Sequence, residues 1–119
     1  MEMSYRNLSY WHESVPGSLE PRESMCGDRR TDIVIVGAGY TGLWTAYYLK
    51  QRDPSLQISI LEANIAGFGA SGRNGGWCSG YLSGIDHWLH DPSQRESGIR
   101  LQRLMFKTVA DIGRVAEKE

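Results

Sequence analysis

What this sequence lacks narrows it before any motif is read. No stretch of its 119 residues approaches the unbroken apolar length that crosses a bilayer. The opening MEMSYRNLSYWHES has none of the basic-then-apolar layout of a secretory leader. Neither charge dominates: 13 basic against 14 acidic residues leave −1, so nothing draws the chain toward nucleic acid or anionic lipid. Cysteine is scarce. Cys26 and Cys78 stand far apart, outside any CxxC or Cys/His spacing, which argues against a disulfide scaffold or a zinc site. That usage suits a reducing compartment, and the cytoplasm is the expected location. Internal repeats and low-complexity tracts are missing as well.

Glycine, by contrast, is plentiful, at 14 residues. Length and a hydrophobic content of 40% fit one soluble globular domain, whose elements below read as α/β, preceded by an arm over residues 1–30 that is polar and turn-rich (Pro16-Gly17, Pro21). Tyr5, Tyr10 and Trp11 are the residues suited to pin that arm onto a neighbouring surface. Residues 32–36, DIVIV, form a β-branched run of the kind found in a parallel strand buried on both faces. The spacing predicts a helix over 40–52, stopped by Asp53-Pro54-Ser55, and a second buried strand over 58–61. A loose stretch follows over 77–90. Asp91-Pro92-Ser93-Gln94 then has the makings of a helix start, with Asp91 as cap, before an amphipathic helix carrying Leu101, Leu104, Met105, Val109, Ile112, Val115 and Ala116.

The join between first strand and first helix reads Gly37-Ala-Gly39-Tyr40-Thr41-Gly42. GxGxxG alone is a weak signal, but here it follows a buried strand and opens a helix. Gly37 permits the turn, Gly39 lets a pyrophosphate reach the backbone, and Gly42 lets helix and strand pack closely. The phosphate charge then meets free N–H groups at the positive end of the helix dipole. The second strand ends in Glu62, about twenty positions on, where a carboxylate can accept both ribose hydroxyls of an adenosine and would repel a 2′-phosphate. The pattern is that of dinucleotide binding, NADP disfavoured.

A second glycine tract, GFGASGRNGG over 67–76, stands where a simple NAD domain commonly has another helix. Either it is a flexible surface loop, or its backbone comes close to a long cofactor lying across the domain. At this point GAGYTGLWTAYYL, the strand ending LEA, and GFGASGRNGGW resemble the FAD-dependent oxidoreductases of the D-amino-acid-oxidase-like family, in particular the gamma-glutamylputrescine oxidoreductase type. The resemblance is firm over residues 31–80 and looser in SYWHES and the last helix.

The resemblance implies a Rossmann-like FAD-binding domain. Gly37, Gly39, Tyr40, Thr41 and Gly42 would line the FAD pyrophosphate, Glu62 would hold the ribose, and Ala63 would lie beside the adenine. Ala70, Ser71 and Gly72 would return to the pyrophosphate and ribityl chain. Asn74, Gly75, Gly76 and Trp77 would bring backbone to the isoalloxazine. For Arg73 two readings stay open: neutralising phosphate, or pairing with a surface carboxylate. The implied reaction removes a hydride equivalent from a carbon bearing an amine, giving an imine that water hydrolyses, with reoxidation commonly by oxygen. The implied partner is a small amine or amino acid, with no nucleic acid and no membrane.

No catalytic residue is assigned within 1–119. Two strands and two helices do not close a doubly wound sheet. Residues 31–119 are therefore expected to be the N-terminal part of an FAD-binding domain in a larger flavoprotein, the substrate domain being absent and the isolated chain inactive. His87 and His90 are expected to face solvent, not to hold metal, and Cys78 to be a small buried packing residue. The competing functions are an NAD-dependent dehydrogenase, marked by a regular helix in place of GFGASGRNGG, and a non-catalytic nucleotide-binding module.

Overall fold

A computed structural model describes residues 4–119, which form two compact units, one ending at Gly75 and one spanning Gly76–Glu119. The first unit opens with a 3-10 turn at Tyr5–Leu8 and a short helix, α1 (Tyr10–Ser14). It continues through strand β1 (Ile33–Val36), helix α2 (Tyr40–Arg52), strand β2 (Ile58–Leu61) and a 3-10 turn at Ala70–Gly72. The strands pair in parallel, Ile33 beside Ile58 and Val36 beside Leu61. Parallel strands need a crossover, and α2 is that crossover. The result is a βαβ unit of Rossmann-like type.

Local chemistry ends α2 where Asp53 enters. The Asp53 carboxylate accepts the Ser55 N–H at 2.9 Å and its hydroxyl at 2.6 Å, which turns the chain out of the helix. Those bonds, the Ser55 hydroxyl first, hold the Asp53 carboxyl below its ordinary pKa. The Lys50 ammonium donates to the Pro54 and Leu56 carbonyls, a cation at the negative end of the helix.

Burial in β1 alternates instead of covering both faces. Ile33 and Ile35 are half-buried, while Val34 and Val36 are 55% and 84% exposed. The crossover helix α2 packs on β1, and one helix covers only one sheet face. The aromatic residues of α2 pack on one another, Trp44 stacking on Tyr48 with centroids 5.5 Å apart.

In the second unit, the stretch expected to be loose contains α3 (Ile85–His90), anchored by buried Ile85. Helix α4 (Arg95–Lys118) follows, with Ile99, Leu101, Met105, Val109, Ile112 and Val115 along its half-buried side. It starts after the expected cap because residues 91–94 make a turn of their own. The Asp91 carboxylate accepts the Ser93 N–H and hydroxyl and the Gln94 side-chain amide, and its carbonyl accepts the Gln94 and Arg95 N–H groups. Gly98 brings α4 against α3: a Cβ there would lie 3.1 Å from that of Trp88. No described helix is long and apolar enough to cross a membrane.

Candidate dinucleotide-binding site

The site grows from the first turn. Gly37 donates its N–H to the Leu61 carbonyl at 2.7 Å, extending the ladder one step beyond β1, and then adopts φ +98°, a conformation that favours glycine. The chain reverses into α2, with Gly39 as its extended N-cap residue. The Tyr40 N–H donates to Ser71 Oγ at 2.8 Å. Among the described residues, the first-turn N–H groups of Thr41 and Gly42 have no partner in the chain. Unpaired N–H groups, a helix dipole and a residue without a side chain at the cap make a cradle that fits the pyrophosphate of a dinucleotide.

Glu62 stands at the end of β2, half-buried, and is already oriented. The Ala38 N–H donates to its Oε2 at 2.8 Å and the Asn64 N–H to its Oε1 at 3.1 Å. The Ala38 bond first, then that of Asn64, holds the carboxyl below its ordinary pKa of 4.5, against a smaller opposing effect of desolvation. Each oxygen keeps lone-pair capacity for a ribose hydroxyl. Ala63, beside it, is exposed.

The sign of the pH dependence follows from that lowered value. The ionised Glu62 favours the folded turn fully above pH 4.5, and the benefit is lost as pH falls through the lower folded-state value. Glu62→Gln should therefore melt a few degrees below the wild type at neutral pH, and the gap should close on acidification below about pH 4.5. Thermal melts of the two proteins across the acid range check this. The Asp53 and Asp91 carboxyls, also lowered, titrate in both and cancel. A gap that stays constant would remove Glu62 from that role.

The second glycine tract lies against the first turn. The Gly67 N–H donates to the Ala38 carbonyl at 2.9 Å, and Ser71 reaches the start of α2 as described. Asn74 holds the 3-10 turn closed, its side-chain amide donating to the Ser71 carbonyl at 2.8 Å and the Ala70 carbonyl at 3.1 Å. Gly72 is glycine for a reason within the chain: a Cβ there would collide with the Gly67 carbonyl and lie 2.6 Å from His12 Cε1. Arg73 Nε donates to the Gly69 carbonyl at 3.5 Å. Its guanidinium lies over the Phe68 ring, 5.1 Å from the centroid. The structure thus brings Gly37, Gly39, Tyr40, Thr41, Gly42, Glu62, Ala70, Ser71, Gly72 and Asn74 to one region of the first unit. Gly75 closes that unit, while Gly76 and Trp77 open the second, where the Trp77 side chain is 92% exposed.

The arm supplies residues that the sequence reading did not single out. Ser9 and His12 join the tract, Ser9 Oγ donating to the Gly72 carbonyl at 2.5 Å and lying 2.7 Å from His12 Nδ1. The available signal was Ser-x-x-His, a cap residue three before a ring that can bond to it. Tyr5 and Trp11 do pin the arm, whereas Tyr10 is 70% exposed. One expectation is corrected. Cys78 is exposed, not buried, because residues 77–80 form no regular element that would lay it against apolar neighbours. His87 and His90 are exposed on α3.

The family model for FAD dependent oxidoreductases (DAO) matches residues 32–119. Among curated proteins, gamma-glutamylputrescine oxidoreductase of Escherichia coli (strain K12) is 38% identical over 74 residues, 62% of this chain and 17% of that protein. A probable oxidoreductase, OrdL, of Haemophilus influenzae is 32% identical over 88 residues, 73% of this chain and 20% of its own length. Thiamine thiazole synthase of Schizosaccharomyces pombe is 50% identical over 52 residues, 44% of this chain and 14% of that protein. The chain thus spans 14–20% of the length of these relatives. No solved structure matches it significantly.

Proposed function

This chain belongs to the FAD dependent oxidoreductase (DAO) family, and from that membership we propose that it is the cofactor-binding part of an enzyme oxidising the C–N bond of an amine or amino acid. The family depends on FAD. One observation carries the reading of the site: two glycine segments meet at the N-terminus of α2, tied by the Gly67-to-Ala38 and Tyr40-to-Ser71 bonds. A single turn for a pyrophosphate would not need the second. A regular helix after β2, the mark of the NAD-dependent alternative, is replaced by a 3-10 turn at Ala70–Gly72.

In this reading Gly39, Tyr40, Thr41 and Gly42 offer backbone to the pyrophosphate, and Gly37 sets the turn that aims them. Glu62, held by Ala38 and Asn64, accepts the ribose hydroxyls, with Ala63 beside the adenine. Ala70, Ser71 and Gly72 approach the pyrophosphate from the other side. Asn74, Gly75, Gly76 and Trp77 lead the backbone toward the isoalloxazine, and Arg73 adds positive charge near the phosphates. When bound, FAD supplies the two-electron acceptor; the residues here bind and orient it. Substrate contacts lie in other parts of the whole protein. Exposed Cys26 and Cys78 suit a reducing cytoplasm.

Relatives named gamma-glutamylputrescine oxidoreductase and thiamine thiazole synthase both match this chain, so the likeness follows the cofactor more than the substrate. The test is therefore on substrate. Anaerobic mixing of the FAD-loaded whole protein with amines and amino acids should bleach the visible flavin absorbance with at least one member of the panel and release the carbonyl product. A flavin that stays oxidised with every amine, or is reduced only by a nicotinamide, would overturn the C–N assignment.

A further inference from the structure

We propose that Ser9, Trp11 and His12 form a latch that holds the second glycine tract in its FAD-binding shape, with His12 as its positioning residue. The proposal rests on the reading that residues 70–74 touch FAD. A glycine-rich segment loses much conformational freedom when it is ordered, so something must fix it before a cofactor can bind tightly. The arm is built to do this at several points.

The hydrogen bonds define a directed chain. A serine hydroxyl has one proton, and that of Ser9 goes to the Gly72 carbonyl at 2.5 Å. Ser9 Oγ must therefore accept from His12, both from its backbone N–H at 3.2 Å and from Nδ1 at 2.7 Å. That places the ring hydrogen on Nδ1. The imidazole, 4% exposed, packs directly on Gly72, leaving no room for a Cβ there. Two residues further on, Trp11 Nε1 donates to the Asn74 carbonyl at 2.8 Å. Upstream, the Tyr5 ring meets Phe68 edge-on, with centroids 6.1 Å apart.

Immediately before the gripped Gly72 carbonyl sits Ser71, whose Oγ accepts the Tyr40 N–H at the start of α2. Its own carbonyl is held by Asn74. The arm thus sets the position of Ser71, and through it the gap between the two glycine segments. Simple packing of an arm onto a surface would not need a buried, hydrogen-bonded imidazole against a glycine that has no space for a Cβ.

The test measures FAD affinity and stability separately in the intact protein. His12→Ala should raise the FAD dissociation constant about tenfold and alter the visible circular dichroism of bound flavin; His12→Asn, whose amide can still donate to Ser9, should recover most of the affinity. Trp11→Phe keeps the ring and deletes one donor on a residue that is 41% exposed, so it should fold normally and bind FAD about threefold to fivefold more weakly. Lower melting temperatures of the apoprotein with FAD affinities within twofold of wild type in all three variants would overturn the latch and leave a structural arm. A wild-type protein that takes up no FAD would overturn the cofactor reading along with it.

Discussion

Gly39→Val in the whole protein is expected to fold, to melt within a few degrees of the wild type, and to bind FAD about a hundredfold more weakly. The backbone permits the change. Gly39 has φ −86° and ψ −176°, extended values that any residue adopts. A Cβ there would meet only Ser71 Oγ, at 2.9 Å, the end of a side chain that can rotate away. The fold therefore gives way at small cost. The cofactor cannot: valine's methyl groups would occupy the cap of α2, where a pyrophosphate must approach the Thr41 and Gly42 N–H groups. A hundredfold loss corresponds to about 2.7 kcal/mol, the scale of a few charge-assisted hydrogen bonds to phosphate lengthened or broken. Titration of the apoprotein with FAD, and the flavin-to-protein ratio after gel filtration, measure it. Full flavin occupancy in Gly39→Val would mean that the pyrophosphate lies elsewhere.

How much of this was legible in the sequence depends on how local the signal is. The bounds of α2 and β2 match the reading because Gly39, Asp53-Pro54 and the Ile-Ser-Ile-Leu run at 58–61 act within a few residues of themselves. The same holds for the turn, whose tasks fall on neighbouring glycines. The role of Gly72 was not legible. It depends on Gly67 across a loop and on His12 far back in the chain, and no periodicity encodes such a meeting. Cys78 illustrates the opposite error. A small apolar residue was expected inside, but its loop has no element to carry it there. Helix α3 was missed because six residues between Gly84, at φ +83°, and Asp91 are too few to display a helical repeat.

Gly42→Ala should separate the fold from the cofactor site in the opposite direction, with stability falling first. Alanine is the better helix former by about 1 kcal/mol, and Gly42 lies in the first turn of α2, so propensity alone favours the change. Packing opposes it more strongly. A Cβ at this position would collide with the Gly37 carbonyl oxygen and stand 3.2 Å from Ile35 Cγ2. Neither neighbour yields easily. Gly37 is fixed by its bond to Leu61 and its left-handed φ, and Ile35 is paired with Ile60 in the sheet. Relief requires α2 to lift from β1, at an overpacking cost of about 1–3 kcal/mol or more, to which the opened turn adds its lost contacts. We expect a net loss of about 2 kcal/mol in chemical denaturation, and weaker FAD binding as the Thr41 and Gly42 N–H groups move with the helix. A variant as stable as the wild type would show that helix and strand are not held at the separation that bare main chain allows, and the cradle built on that separation would fall with it.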